Sequence, residues 1–506
     1  MKGIVISGTG SGVGKTSITT GLMSKLSKQY RVQAFKAGPD FIDPMYHTAA
    51  TGRPGRNIDS FMMDDGTIRN LVGWASRDAD LCIVEGVRGL YEGFTGDGDV
   101  GSTAYLAKLL GFPVVLVVDA GSLTRSAAAI IRGFRDFDPD VRIAGVILNK
   151  VSGKQHADKL DAAMREYCPG IKVLGKIRKD RENTLGQRYL GLKTLHSFEK
   201  GEIEPLERLA DAVDTDMLMG IAEDSPAGLP ESCPYTVREA GMKAAVPIDD
   251  AYSFYYRENL ECLEASGIKV EAFRPADGEG MPDADMAYLG GGYPELYADQ
   301  ISSNTDFLEG LKQMSLEGKP ILGECGGLMT MCRSMRLKDG SVRRMAGVFD
   351  AEAVFVDVRH GPTYMLAEGL GNNPLFRGPM KGHEYHYSEV VPGKDSELSV
   401  KVDRGLGIRG GMDGLTARRS LGTYMHQHAL SYADWAKGFA EGVNEVIIVR
   451  KRTDNIPTPP NPAHGAEVPE CSRDSGGDTP QGLRRGCHGP SRGQVPGAGR
   501  MRPHAG

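Results

Sequence analysis

Cysteine is scarce in this chain of 506 residues: there are eight, irregularly spaced, and none forms a Cys-x-x-Cys pair. This spacing argues against a disulfide framework or a structural zinc site and favours a reducing, cytoplasmic environment. No apolar run approaches the roughly 18 residues that a membrane-spanning helix needs, and the first apolar stretch is too short for a signal peptide. Charge of one sign is not in excess either, because 60 basic residues face 66 acidic ones. A surface built wholly to bind nucleic acid is therefore disfavoured.

The length of the chain predicts more than one hydrophobic core, at about 150 residues per domain. Residues 1–195 alternate short apolar runs with amphipathic stretches, which predicts an α/β domain with a parallel, doubly wound sheet. A second α/β pattern covers residues 244–450, and the mixture of proline and acidic residues at 196–243 indicates a linker. The predicted strands of the first domain are Gly3–Ser7, Val32–Phe35, Asp80–Glu85, Pro113–Asp119 and Ile143–Asn149.

The C-terminal segment 451–506 has a different composition from the rest of the chain. It holds nine of the 28 prolines and ten glycines, with almost no large apolar side chains. Such a segment buries too little surface to offset the entropy lost on ordering, so we expect it to be disordered. Its scattered arginines are typical of a solubilising tail, and we predict no nucleic-acid partner.

A glycine-rich loop, Gly-Thr-Gly-Ser-Gly-Val-Gly-Lys-Thr, follows the first predicted strand and precedes a predicted helix. Glycines let backbone N–H groups crowd around an oxyanion, and the helix N-terminus adds its dipole. Lys15 is expected to reach the β- and γ-phosphates of ATP, and the Thr16 hydroxyl to ligate Mg²⁺. A merely flexible turn is disfavoured by the combination of strand, glycines, Lys-Thr and helix. The predicted ATP-binding residues are Gly10, Gly12, Gly14, Lys15 and Thr16.

Acidic side chains follow two other predicted strands. In an open α/β sheet the ligand lies at the carboxyl ends of the strands, where Glu85 is placed. Glu85 is therefore a candidate Mg²⁺ partner beside Thr16, and a solvated carboxylate at a strand end is the alternative. Asp40 and Asp43 follow the end of the second strand, next to Lys36. Two carboxylates beside a lysine suit a site that handles a metal ion and phosphate.

A cysteine lies on a predicted sharp turn between a strand and a helix, Pro-Ile-Leu-Gly-Glu-Cys-Gly-Gly-Leu. Small residues flank Cys325 as they flank the nucleophile of a Gly-x-Ser-x-Gly elbow, and a nearby helix N-terminus would lower the pKa of the thiol. A cysteine nucleophile needs a histidine, and Tyr-Met-His-Gln-His supplies His426 and His428. The glycine turn 290–292 offers N–H groups for an oxyanion hole. The alternative for Cys325 is a buried structural thiol.

Motifs spread over residues 1 to about 450 resemble a known family, cobyrinate a,c-diamide synthase, which includes nickel-sirohydrochlorin a,c-diamide synthase. The glycine loop has the variant form GTxxxxGKT of dethiobiotin-synthetase-like enzymes, with Thr9 where the strict pattern has glycine. The other motifs, in order, are KAGPDFIDPMYH, NIDSFM, VEGVRGLYEG, FYYRENLE, LGGGYPELYADQ, GECGGLM, GHEYHYSE and YMHQH.

The resemblance implies a dethiobiotin-synthetase-like P-loop domain fused to a class I glutamine amidotransferase domain. Members amidate the a and c acetate groups of a corrin precursor, with ammonia from L-glutamine and carboxylate activation by ATP through an acyl phosphate. Carried over by motif, Cys325 matches the glutaminase nucleophile and His426 the histidine that raises its nucleophilicity. His428 stands where most class I amidotransferases have a glutamate as the third catalytic residue. The implied synthetase-site residues are Asp40, Asp43, Glu85 and Glu92, the last of which departs from the usual aspartate.

Two alternatives remain open at this stage. The motifs do not separate cobyrinate from nickel-sirohydrochlorin, because both macrocycles carry equivalent acetate groups. A P-loop ATPase switch with an inactive amidotransferase-like domain belongs to another class and is disfavoured by the intact Cys325 and His426. The expected partner is a corrinoid or related tetrapyrrole, without nucleic acid or membrane, and a homodimer is left open.

Overall fold

The fold is taken from a computed structural model, which describes residues 2–179, 203–223, 228–433 and 435–441. The predicted disordered tail, 451–506, lies outside the described residues. Among the helices of the described ranges, none is long and apolar enough to cross a membrane.

The N-terminal domain is built on a parallel sheet of seven strands with helices between them, as the alternating sequence pattern predicts. The strands are β1 Lys2–Gly8, β2 Val32–Ala37, β3 Arg56–Ile58, β4 Leu81–Glu85, β5 Val114–Asp119, β6 Ile143–Val151 and β7 Lys172–Arg178. The helices are α1 Lys15–Ser27, α2 Ile42–Thr51, α3 Asp65–Ser76, α4 Thr103–Leu110, α5 Arg125–Phe137 and α6 Lys154–Tyr167. The strand order is β3-β2-β4-β1-β5-β6-β7. Strands β2 and β3 lie on one side of β1, and strands β5, β6 and β7 lie on the other. Doubly wound sheets bind their ligands beside the strand where the order of connection changes sides in this way.

Two helices lie within the stretch that the sequence indicates as a linker, α7 Glu204–Ala210 and α8 Thr215–Ala222. Helix α7 packs so closely on α1 that a Cβ atom at Gly21 would lie 2.1 Å from the Leu206 carbonyl oxygen. An ion pair of 3.1 Å joins Lys25 to Asp211 at the same contact. We therefore propose that the N-terminal domain extends to about residue 222.

The C-terminal domain is built on a mixed sheet of eleven strands, with a separate two-stranded ribbon. The strands are β8 Met242–Pro247, β9 Tyr252–Phe254, β10 Ile268–Phe273, β11 Met286–Leu289, β12 Gly291–Gly292, β13 Ile321–Glu324, β14 Ser334–Arg336, β15 Val342–Arg344, β16 Ala351–Gly369, β17 Gly378–Pro392, β18 Glu397–Arg404, β19 Met412–Ala417 and β20 Ser420–Thr423. The helices are α9 Arg257–Ala265, α10 Ala298–Ser303, α11 Thr305–Leu316 and α12 Gly326–Met331. The order is β10-β8-β11-β13-β20-β19-β18-β16-β14-β15, with β17 beside β16 and the ribbon formed by β9 and β12. The predicted α/β class is confirmed for both domains.

The two domains meet along the carboxyl ends of β2 and β3. Here Tyr364 on β16 donates a hydrogen bond of 2.6 Å to Asp59, which follows β3. Lys381 on β17 donates one of 3.0 Å to the Phe61 carbonyl. Because β2 and β3 end where the first domain is expected to bind its ligand, the contact brings the second domain to that edge.

Candidate functional site

The glycine loop joins β1 to α1 and has a defined shape. Gly12 and Gly14 have φ angles of +78° and +92°, in the left-handed region that favours glycine. A Cβ atom at Gly14 would lie 2.4 Å from the Asn149 side-chain nitrogen, which itself donates a hydrogen bond of 2.8 Å to the Val13 carbonyl. The loop is therefore held open by contacts with β6, as a preformed phosphate cradle requires.

Oxygen atoms from three predicted residues converge beside this loop. The Thr16 hydroxyl donates a hydrogen bond of 2.6 Å to Glu85 and lies 3.3 Å from an Asp43 carboxylate oxygen. Lys15 Nζ lies 3.4 Å from the same Glu85 oxygen. A hydroxyl and two carboxylates are the hard oxygen donors that Mg²⁺ prefers, so the residues fit the ion that the loop motif implies.

Lys36, which the sequence places beside Asp40 and Asp43, belongs to this cluster, and so does His47, to which the sequence assigned no role. Lys36 is buried, forms an ion pair with Asp43 and lies 3.1 Å from Glu85. His47 Nε2 lies 2.6 Å from the other Glu85 oxygen. Both residues belong to the motif KAGPDFIDPMYH, which the sequence shows. The sequence could not show that they lie next to Glu85.

The charges of the cluster shift its pKa values in opposite directions. Burial opposes ionisation of Glu85, but Lys36 and Lys15 outweigh it and hold the pKa of that carboxyl well below its usual value. Burial, with repulsion from Asp40 and Glu85, raises the pKa of Asp43 to about 7. Burial, with repulsion from Lys36, lowers the pKa of Lys15. Glu85 is thus an anion at neutral pH, paired with two lysines that can also face phosphate.

Both domains line a cavity of about 270 Å³ next to this cluster. Asp40 lines it, but one of its carboxylate oxygens accepts hydrogen bonds from the N–H groups of Ile42 and Asp43. Glu92 is exposed at the same cavity. The lining residues that carry charge are Lys15, Lys36, Asp40, Asp43, Arg88 and Glu92, and the second domain contributes Pro362, Thr363 and Tyr364.

Cys325 occupies the predicted elbow between β13 and α12. Its φ of 48° and ψ of −97° are strained for a residue with a side chain, and its N–H donates a hydrogen bond of 2.8 Å to the Thr423 carbonyl. A Cβ atom at Gly326 would lie 3.2 Å from the Gly292 nitrogen, so the elbow packs directly on the glycine turn. Burial, with the negative charge of Glu295, raises the pKa of the Cys325 thiol to about 12. This direction is opposite to the lowered pKa predicted from the helix N-terminus, because desolvation outweighs the dipole of a short helix.

His426 is buried beside the same glycine turn. A Cβ atom at Gly291 would lie 2.5 Å from the imidazole Cε1, so only glycine leaves room for the ring. Its Nδ1 lies 3.9 Å from a carboxylate oxygen of Glu324, the residue before the cysteine. Burial, with repulsion from His383 and His386, lowers the pKa of His426 well below its usual value. The imidazole is therefore neutral at physiological pH.

His428, predicted as the third catalytic residue, is engaged elsewhere. Its Nε2 lies 3.2 Å from Glu258 on α9, and its Nδ1 accepts a hydrogen bond of 3.2 Å from the Leu430 N–H. Glu258 in turn pairs with Arg56 of the N-terminal domain at 3.0 Å. The geometry thus places His428 in a contact between domains, and the acidic side chain near His426 is Glu324, whose pKa burial raises to about 8. Sequence reasoning did not consider Glu324, although it adjoins Cys325, because the usual spacing directs attention to the second residue after the histidine; the role of His428 stays a prediction.

Comparisons with known proteins agree with the division into these two domains. Residues 4–188 match the family described as CobQ/CobB/MinD/ParA nucleotide binding domain, and residues 243–434 match the CobB/CobQ-like glutamine amidotransferase domain. Three similar curated proteins, each named cobyrinate a,c-diamide synthase, match this chain over most of its length. The one from Methanosphaera stadtmanae is 40% identical over 88% of this chain and 100% of its own length. Those from Methanobrevibacter smithii and Methanocaldococcus jannaschii are 40% and 41% identical, over 88% and 85% of this chain and 99% and 97% of their own lengths. The chain therefore belongs to the cobyrinate a,c-diamide synthase family.

Proposed function

We propose that this chain amidates the a and c acetate carboxylates of cobyrinate, using ATP and glutamine. The observation that carries the proposal is the presence of two complementary sites in one chain. A phosphate loop with its carboxylates faces a cavity that both domains line, and a cysteine elbow with a buried histidine lies in the second domain. The relatives at about 40% identity carry the name of this activity.

The synthetase half would activate the carboxylate. An amide cannot form readily from a carboxylate and ammonia, because hydroxide is a poor leaving group. We propose that the substrate carboxylate attacks the γ-phosphorus of ATP, which gives an acyl phosphate and ADP, and that ammonia then displaces phosphate. Lys15 and Lys36 would stabilise the charge on the transferred phosphoryl group. Thr16, Asp43 and Glu85 would hold Mg²⁺, which neutralises phosphate charge when bound.

The glutaminase half would supply the ammonia. Neutral His426 would take the proton of the Cys325 thiol as the sulfur attacks the side-chain carbonyl of glutamine. The oxyanion would face the glycine turn 290–292, and return of the proton would release ammonia and leave a thioester. Water would then hydrolyse the thioester to glutamate.

The test compares the two candidate substrates in separate reactions. The purified chain receives ATP, Mg²⁺, glutamine and either cobyrinate or nickel-sirohydrochlorin, and products are read by mass. Conversion of two carboxyl groups of cobyrinate to amides, with one ADP per amide, is the expected result. A diamide from nickel-sirohydrochlorin alone would select that substrate instead. ATP hydrolysis without glutaminase activity would favour a switch, and stoichiometric AMP would contradict the acyl phosphate.

A further inference from the structure

One side chain of the N-terminal domain reaches the histidine of the glutaminase site. Phe41 lies between Asp40 and Asp43 in sequence, and its ring centroid is 5.1 Å from that of His426 and 5.5 Å from that of His383. We infer that Phe41 is a positioning residue that orients His426 and so couples glutamine hydrolysis to the synthetase site. This inference rests on the proposed function.

The orientation of His426 depends on the packing of neighbouring rings. Within the described parts of the chain, the buried Nδ1 of this ring has no hydrogen-bond partner, and Glu324 lies beyond hydrogen-bond distance at 3.9 Å. The ring stacks on His383, with centroids 5.0 Å apart and planes inclined by 20°. Phe41 packs on it at an inclination of 55°. Because a hydrogen bond does not fix the ring at Nδ1, removal of the Phe41 ring would leave room for it to turn.

Phe41 is itself tied to the synthetase site. One carboxylate oxygen of Asp40 accepts hydrogen bonds from the N–H groups of Ile42 and Asp43, at 2.9 and 3.0 Å, which closes the backbone around Phe41. Asp43 forms the ion pair with Lys36 and lies 3.3 Å from Thr16. A nucleotide or metal ion that changes the partners of Asp43 therefore acts on a segment of chain that ends at the Phe41 ring.

The ring is also held from the side of the C-terminal domain. It stacks on Phe254, with centroids 5.2 Å apart and planes inclined by 7°, and lies 4.6 Å from the ring of Tyr256. Both residues lie just before α9, Phe254 at the end of β9 and Tyr256 directly before the helix. A side chain packed on both domains can transmit a shift of the segment 40–43 to His426 with little loss, because packed interiors have few alternative arrangements.

The test compares Phe41→Ala and Phe41→Leu with Trp74→Leu. Trp74 also packs at the domain contact, against Tyr235, but not on His426. Phe41→Ala should lower kcat for glutamine hydrolysis by about tenfold or more, since misplacing a catalytic group by about 1 Å can cost 10² in rate. KM for glutamine should change less than about twofold, and synthesis from free ammonia should be retained. In Phe41→Ala the ratio of glutamate released to amide formed should rise. The glutaminase kcat of Phe41→Leu should lie between those of Phe41→Ala and the unchanged chain.

Several outcomes would overturn the inference. Equal loss of glutamine- and ammonia-dependent synthesis in both Phe41 variants would mean that the residue only supports the fold or the synthetase site. Unchanged glutaminase kcat in Phe41→Ala would show that His426 keeps its orientation without the ring, and the same kcat loss in Trp74→Leu would assign the effect to the domain contact in general. Failure of the proposed function is distinguishable, because the unchanged chain would then give no amide from either nitrogen source.

Discussion

Arg56 offers the sharpest test of how the two domains hold together. This side chain belongs to β3, and its guanidinium donates hydrogen bonds of 3.0 Å to Glu258 and 2.9 Å to both carboxylate oxygens of Glu261 on α9. Burial opposes ionisation of Glu258, but the hydrogen bond with His428 and the charge of Arg56 outweigh it and hold its pKa below the usual value. We therefore predict that Arg56→Met destabilises the chain strongly.

The size of this destabilisation follows from the burial of Glu258, which remains after Arg56 is replaced. Glu258 is fully buried, and removal of one member of a buried ion pair costs about 3–5 kcal/mol, because the remaining carboxylate loses its cationic partner and keeps only the contact with His428. In the unchanged chain the lowered pKa of Glu258 contributes stability above the pKa of the unfolded chain, and this is lost as pH falls. In the variant, protonation of Glu258 removes the buried negative charge that Arg56 no longer balances. The defect should therefore be smaller at pH 5 than at pH 8.

Arg31→Met is the matched control. The Arg31 guanidinium makes a similar two-pronged contact with Asp80, at 3.1 and 2.9 Å, but both side chains are exposed. Loss of an exposed ion pair typically costs only about 0–1 kcal/mol. For roughly 400 cooperatively unfolding residues, 3–5 kcal/mol corresponds to a fall in Tm of about 4–6 °C, measurable by calorimetry at both pH values. Equal shifts for the two variants would refute the argument from burial.

Four further predictions concern catalysis. Cys325→Ala should abolish glutamine-dependent amide synthesis yet leave synthesis from ammonia, and an equal loss of both would contradict its assignment to glutamine. Lys15→Ala should lower amidation from either nitrogen source by about 10²-fold or more, and retained ammonia-dependent turnover would exclude the loop from phosphate chemistry. Glu324→Gln should lower glutaminase kcat more than His428→Gln does, because Glu324 is the acidic side chain near His426; the reverse order would restore His428 as the third catalytic residue. Alkylation of Cys325 by iodoacetamide, followed by peptide mass spectrometry, should accelerate about tenfold per pH unit from pH 7 to 10, because burial raises its pKa to about 12; a plateau near pH 8 would contradict this.

The sequence predicts those features that depend on local periodicity or on strand ends. Parallel strands place their carboxyl ends at one edge, which is why Thr16, Asp43 and Glu85 were expected together and lie together. Strands β3 and β7 were not predicted. Three residues, Arg56–Ile58, are too few to show a period, and Lys172–Arg178 carries basic residues among its apolar ones. The elbow at Cys325 was predictable because its small neighbours mark a sharp turn.

Two of the features that escaped sequence reasoning, the contact of His428 with Glu258 and the packing of Phe41 on His426, lie where the domains meet. A motif reports how residues within one domain are arranged, whereas a contact between domains joins surfaces that have no common period. Spacing alone thus suggested a catalytic role for His428, although its ring faces the Glu258–Arg56 pair. The same limit hid Phe41, whose importance depends on His426 lying against it. Phe41 and His428 thus both take part in contacts between the domains, although the motifs assigned Phe41 no role and His428 a catalytic one.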